Sequence, residues 1–134
     1  MLQRWILTSE EVRRIASACR ETAEKAGWKV TIVIVDHAGH LLFCERLGAR
    51  AATVDVALGK ARTALYTRAP SAAFADRVRD NVNLLALGWM PLQGGLPLLY
   101  RDECVGAIGV SGVTAEQDEH VARAGCEALA ALAK

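Results

Sequence analysis

Apolar positions along this chain recur first with a helical period and then with a strand period, and the switches between the two predict its elements. Val12, Ile15, Ala16, Cys19, Ala23 and Ala26 fall at helical spacing. Thr8 and Glu11 precede them as a capping box and Gly27 follows as a stop, so the spacing predicts a helix over 9–26. Lys29–Asp36 reads as a strand, with Thr31-Ile32-Val33-Ile34-Val35 in succession, apolar on both faces and therefore central. A return strand through Arg46 follows a turn at His37-Ala38-Gly39. Val54, Ala57, Leu58, Ala61 and Leu65 predict a second, small-sided helix over Ala51–Arg68; Pro70 breaks it, and Ser71 caps a third to about Arg79. Asn81–Gln93 has no period and reads as an apolar loop over a core edge or subunit contact, with a ligand lid as the sharper alternative. Leu96–Arg101 and Cys104–Ser111 are strands around a polar turn at Asp102-Glu103. Thr114 and Gln117 form a second capping box, opening a last helix that Lys134 ends. The order α-β-β-α-α-β-β-α, joined by tight hairpins, predicts an α+β fold: an antiparallel sheet with helices packed on it.

The first hairpin invites a register argument. A three-residue loop with Gly39 left-handed sets Asp36 opposite His40, Ile34 opposite Leu42, Ile32 opposite Cys44 and Val30 opposite Arg46. Alternate strand residues share a face, so Asp36, His40, Cys44 and Arg46 are expected together. A four-residue loop would instead move His40 off the sheet.

Composition narrows the classes. A chain of 134 residues is expected to form one domain, 1–134, that buries about two-thirds of its unfolded surface. With 52% hydrophobic and 23% charged residues it reads as globular and soluble. Sixteen basic residues against 15 acidic ones leave no basic field, and 5% aromatics offer little base stacking, so nucleic acid is not an expected partner. No apolar run approaches the ~20 residues of a membrane span. The opening MLQRWILTSEE is too short and too soon acidic for a signal peptide, and Cys19, Cys44, Cys104 and Cys126 form no CxxC pair. A reduced, cytoplasmic chain is the expectation.

Several residues could carry chemistry. Lys60 is a cation on a helix otherwise lined by alanine. Gly94 and Gly95 can turn successive N–H groups toward one point as an anion nest, or form a plain turn. Gly106 and Gly109, inside a strand, mark a close approach by a helix, a subunit or a ligand. His37 and His40 are the candidate metal or haem-iron ligands, with exposed turn histidines as the plain alternative. Cys44 could join His40, but a third ligand is not evident. Cys19, Cys104 and Cys126 read as small buried hydrophobes. No nucleophile–base–orienter set can be assembled around Ser111, and Gly-Val-Ser-Gly is not the G-x-S-x-G elbow.

GGLP at 94–97, VGAIGVSG at 105–112 and the helix opening TAEQDEHVARAG, with VIVDHAGHL at 33–41, the arginine of ER at 45–46 and GKARTA at 59–64, together resemble the GlcG/HbpS-like family from about Ser9 onward. Its members include haem-binding proteins and the C-terminal domain of corrinoid adenosyltransferases. The resemblance implies a profilin-like arrangement, with helices on both faces of about five antiparallel strands. It also implies a pocket between the sheet and the second helix, surrounded by Asp36, Arg46, Lys60, Gly94, Gly95 and Ser111. Such a set suits an anion or carboxylate; the structural alternative is an ion pair of Asp36 with Arg46 or Lys60. The chain departs from the family twice: Leu47-Gly48-Ala49 lacks the acid usual after Arg46, and Asp102 replaces a turn glycine.

Three classes of function stay open on these residues. The leading one is a homo-oligomeric protein binding haem, a corrinoid or a related anionic ligand, with a propionate held by Arg46, Lys60 and the Gly94-Gly95 amides and His37 or His40 near the metal. The second is an enzyme acting on a small organic acid, with Lys60 or Asp36 as acid/base. The third is a structural or regulatory oligomer subunit.

Overall fold

A computed structural model describes residues 1–133; Lys134, the expected end of the last helix, lies outside the described residues. In chain order the elements are α1 (Ser9–Ala26), β1 (Thr31–Asp36), β2 (Leu41–Arg46), α2 (Thr53–Thr67), α3 (Ser71–Asp80), a 3-10 helix (Val82–Leu87), β3 (Gly95–Tyr100), β4 (Glu103–Ser111) and α4 (Ala115–Leu132). The strands form one antiparallel sheet in the order β2-β1-β4-β3. The expected element order holds, and both capping boxes are present, Thr8 with Glu11 and Thr114 with Gln117. Among the described residues four strands form where about five were expected. The remaining long stretch, Asn81–Gln93, has no alternating pattern and begins as a 3-10 helix capped by the Asn81 side chain, which accepts from the Asn83 N–H.

Strand alternation divides the core in two. Val30, Ile32, Ile34, Leu96, Leu98, Ile108 and Val110 meet Ile15, Cys19, Val121 and Leu129 of α1 and α4. On the other face Val33, Val35 and Ala107 meet Ala57, Ala61, Ala64 and Leu65 of α2. Burying each large aliphatic of these layers contributes about 1.5–3 kcal/mol. β1 is central and buried on both faces, as its sequence predicts.

The small residues of α2 have a specific counterpart. Gly95 and Gly109 are cross-strand partners, and a Cβ on either would collide with the helix backbone, 2.1 Å from the Lys60 carbonyl oxygen and 1.9 Å from that of Ala57. The close approach anticipated at Gly109 is thus made by α2, which settles on a pair of glycines.

Two hairpin expectations are corrected. In the first hairpin the Asp36 N–H donates to the His40 carbonyl at 2.8 Å and Val35 faces Leu41, as the three-residue loop requires. A bulge between Ile34 and Val35 then shifts the register, pairing Ile34 with Phe43, Val33 with Cys44 and Thr31 with Arg46. One inserted residue exchanges the faces, so Cys44 and Arg46 lie on the α2 side, with Val33 and Thr31, while Asp36 alternates onto the other. The four residues therefore do not cluster. The second hairpin turns at Arg101-Asp102 rather than Asp102-Glu103; both residues have positive φ, 49° and 65°, the pattern of a two-residue type I′ turn.

Candidate functional site

Lys60 is buried against β4. Its Nζ donates to the Val110 carbonyl at 2.9 Å and to the Asp118 carboxylate at 3.0 Å. Asp118, equally buried, also accepts from the Val113 N–H at 3.0 Å. Burial raises the Asp118 pKa, against the opposing pull of these donors and of Lys60. The carboxylate that pairs with Lys60 is thus Asp118, not Asp36. Gly94 packs on this pair with φ 129°, and a Cβ there would lie 2.8 Å from Nζ. The Gly95 N–H donates to Ser71 Oγ at 2.9 Å, which in turn donates to the Leu92 carbonyl at 2.5 Å. Ser71 therefore ties the GGLP strand to α3 instead of capping it. Ser111 pairs with Thr31 at the end of β4 beside this group. Lys60, Gly94, Gly95 and Ser111 are brought into one region, where the lysine charge and the Gly95 amide already have internal partners.

Asp36, His37 and His40 form a separate group in the first turn. One Asp36 oxygen accepts from the N–H groups of Ala38 and His40, each at 2.9 Å. Partial burial pushes the Asp36 pKa up, but these N–H donors and the neighbouring histidines outweigh it and hold the carboxyl below its ordinary value. Asp36 thereby fixes the turn that presents His37. Arg46 stands apart, exposed on the edge strand β2.

His37 opens onto a groove the sequence did not indicate. A cavity of 330 Å³ is lined by Arg4, His37, Ala38, Leu65, Tyr66, Arg68 and Cys104. It adjoins a second, of 470 Å³, through Arg4, Arg68 and Cys104, with Leu99 and Arg101 beyond. Both volumes suit a small-molecule site. The groove lies between β4 and the C-terminal end of α2. Cys104 is half-buried and its thiol pKa is raised by burial, an effect the Arg68 charge opposes. The imidazole, phenol and thiol of His37, Tyr66 and Cys104 are all groups that can ligate haem iron, and the arginines match carboxylates. Haem thus fits the donor set of this groove. Among the described residues no cluster of three or more His, Cys, Asp or Glu could hold a bare metal ion.

Residues 7–127 match the family described as Haem degrading protein HbpS-like. The chain belongs to the HbpS-like family. Escherichia coli K12 GlcG is 32% identical over 109 residues, covering 79% of this chain and 81% of its own. HbpS of Streptomyces reticuli, solved as a double mutant, is 36% identical with a TM-score of 0.90, covering 96% of this chain and 90% of that one. PduOC, solved in complex with haem, shares the fold at 24% identity and a TM-score of 0.85, covering 92% and 95%.

In this HbpS-like chain two kinds of residue escaped the sequence. Asp118 carried a legible signal, since it lies on the buried stripe Asp118, Val121, Ala122, Gly125, Leu129 of α4. Arg4, Tyr66, Arg68, Arg101 and Cys104 carried none, because segments far apart in sequence bring them together.

Proposed function

We propose that this chain binds haem or a closely related tetrapyrrole such as a corrinoid in the groove between β4 and the end of α2, with His37 as the metal ligand. The observation that carries this reading is that His37 lines one cavity together with two arginines, Arg4 and Arg68. The family's description as haem degrading and the haem held by PduOC, a chain of the same fold, support it. Bound there, haem supplies a redox-active iron; the chain supplies an imidazole held in place by the Asp36-capped turn and an apolar wall from Leu65 and Tyr66. His40, the other candidate, bonds Asp36 through its main chain and does not line the cavity. The four cysteines are all free thiols, which supports a reducing, cytoplasmic setting.

Haemin titration tests the assignment. The parent should give a saturable Soret shift that His37→Ala weakens by about tenfold or more, the scale of losing one charge-assisted or coordinate contact. His40→Ala should match the parent. Both histidines are exposed, so neither change threatens the fold. Binding untouched by His37→Ala would overturn the assignment.

A further inference from the structure

We propose that Arg4, Arg68 and Arg101 form a cationic clamp for paired carboxylates, so that the chain selects an acidic tetrapyrrole over its neutral esters. This rests on the reading above and adds what the second lobe of the groove recognises. Arg4 and Arg68 line both lobes and Arg101 lines the outer one. Among the described residues none of the three forms an ion pair. Three arginines line one groove with no carboxylate ion-paired to any of them, so they are available to an outside anion, and their planar forks fit carboxylates.

The backbone at two of these positions points the same way. Arg68 caps α2 in the left-handed conformation, φ 52° and ψ 39°, donating its N–H to the Ala64 and Leu65 carbonyls. Glycine is the ordinary residue there, and a side chain is strained. Arg101 has φ 49° in the type I′ turn, again a place where glycine, asparagine or aspartate is usual. Non-glycine residues held in this region cluster at ligand clamps and other functional sites. The side chain of Arg101 is held in position, its guanidinium 5.4 Å from the ring centroids of both Trp5 and Tyr100. Asp102 and Glu103 also line the outer lobe. Glu103 is occupied, accepting the Trp5 N–H at 2.7 Å. The anion therefore sits toward Arg4 and Arg68, where the lobes meet, and not beside Asp102.

The test compares haemin with its dimethyl ester, which has no free carboxylates. The parent should prefer haemin by at least tenfold. Arg68→Gly and Arg4→Ala should each cut that preference by about tenfold, one charge-assisted contact, and Arg13→Gln, on α1, should leave it intact. Arg68→Gly relieves the left-handed strain, so it should melt at or above the parent temperature and cannot lose binding by unfolding. A preference that survives both groove variants, or that is absent from the parent, overturns the clamp. If neither porphyrin binds, the haem reading falls and succinate decides the clamp separately. A rise in melting temperature with succinate in the parent, lost in Arg68→Gly, supports it; no rise overturns it.

Discussion

Lys60 and Asp118 hold the interior of α2 to the start of α4 through one buried ion pair. Removing one partner of such a pair leaves an uncompensated charge, at a cost of about 3–5 kcal/mol. Lys60→Met should therefore lower the melting temperature strongly, while the double variant Lys60→Met/Asp118→Asn, which keeps an acceptor for the Val113 N–H, recovers much of the loss; equal destabilisation in both would contradict the pairing. The pH dependence has a definite sign. A carboxyl whose folded pKa is raised keeps a proton that the unfolded chain has released, so its contribution is full below the ordinary value of 3.8 and is lost as pH climbs through the folded pKa. Without Lys60 the rise is larger, and Lys60→Met should come closest to the parent in acid. Asp36 behaves oppositely. Its folded pKa lies below 3.8, so its contribution is present above that value and disappears as pH falls through the folded pKa. Asp36→Asn keeps an acceptor for the turn and removes the titration, so acid melting curves should lose part of their slope below about pH 4. An unchanged slope would contradict the account of the turn. The importance of Lys60 was legible in the sequence as a cation on an alanine stripe. Its partner lies 58 positions away, and local periodicity does not reach that far.

Elements were legible to the extent that their signals are local. The helix of Ser9–Ala26 was readable to the residue because a capping box and a left-handed Gly27 mark its ends. The β1–β2 register failed at one point, because nothing in the run Leu41-Leu42-Phe43 announces a bulge, and one extra residue turned Cys44 and Arg46 to the opposite face. The second turn slipped by one residue because arginine in a left-handed conformation is not a recognisable turn signal. The paired glycines under α2 yield a prediction at this scale. Gly109→Ala places a methyl 1.9 Å from a backbone oxygen that cannot swing aside, so α2 must lift from the sheet. The expected loss is at least the ~1–3 kcal/mol of core overpacking, read by denaturant melts. A neutral Gly109→Ala would contradict the packing of α2 on the Gly95–Gly109 pair.

The whole molecule leaves apolar surface exposed where the sequence already suggested an interface. Val82, Leu85, Leu87 and Leu92 project from the 3-10 helix and the stretch after it, while Trp89 is anchored between Tyr66 and Phe74 with centroids 5.5 and 5.6 Å away. An ordered backbone carrying exposed leucines suits a contact between copies. Sedimentation at micromolar concentration should find an oligomer that Leu85→Glu/Leu87→Glu reduces; a parent that stays monomeric would contradict this. No helix among the described residues is long and apolar enough to cross a membrane. The layered architecture was legible from element order and pattern. The groove was not, because residues 4, 37, 66, 68, 101 and 104 come from four separate segments that only the fold unites. Native mass spectrometry of the protein mixed with haemin is the sharpest test of the proposal that this groove holds a tetrapyrrole. The parent should retain one haem per chain, and His37→Ala should show a marked loss of retained haem. A parent spectrum with no haem, or with a broad ladder of adducts unchanged in His37→Ala, would contradict it.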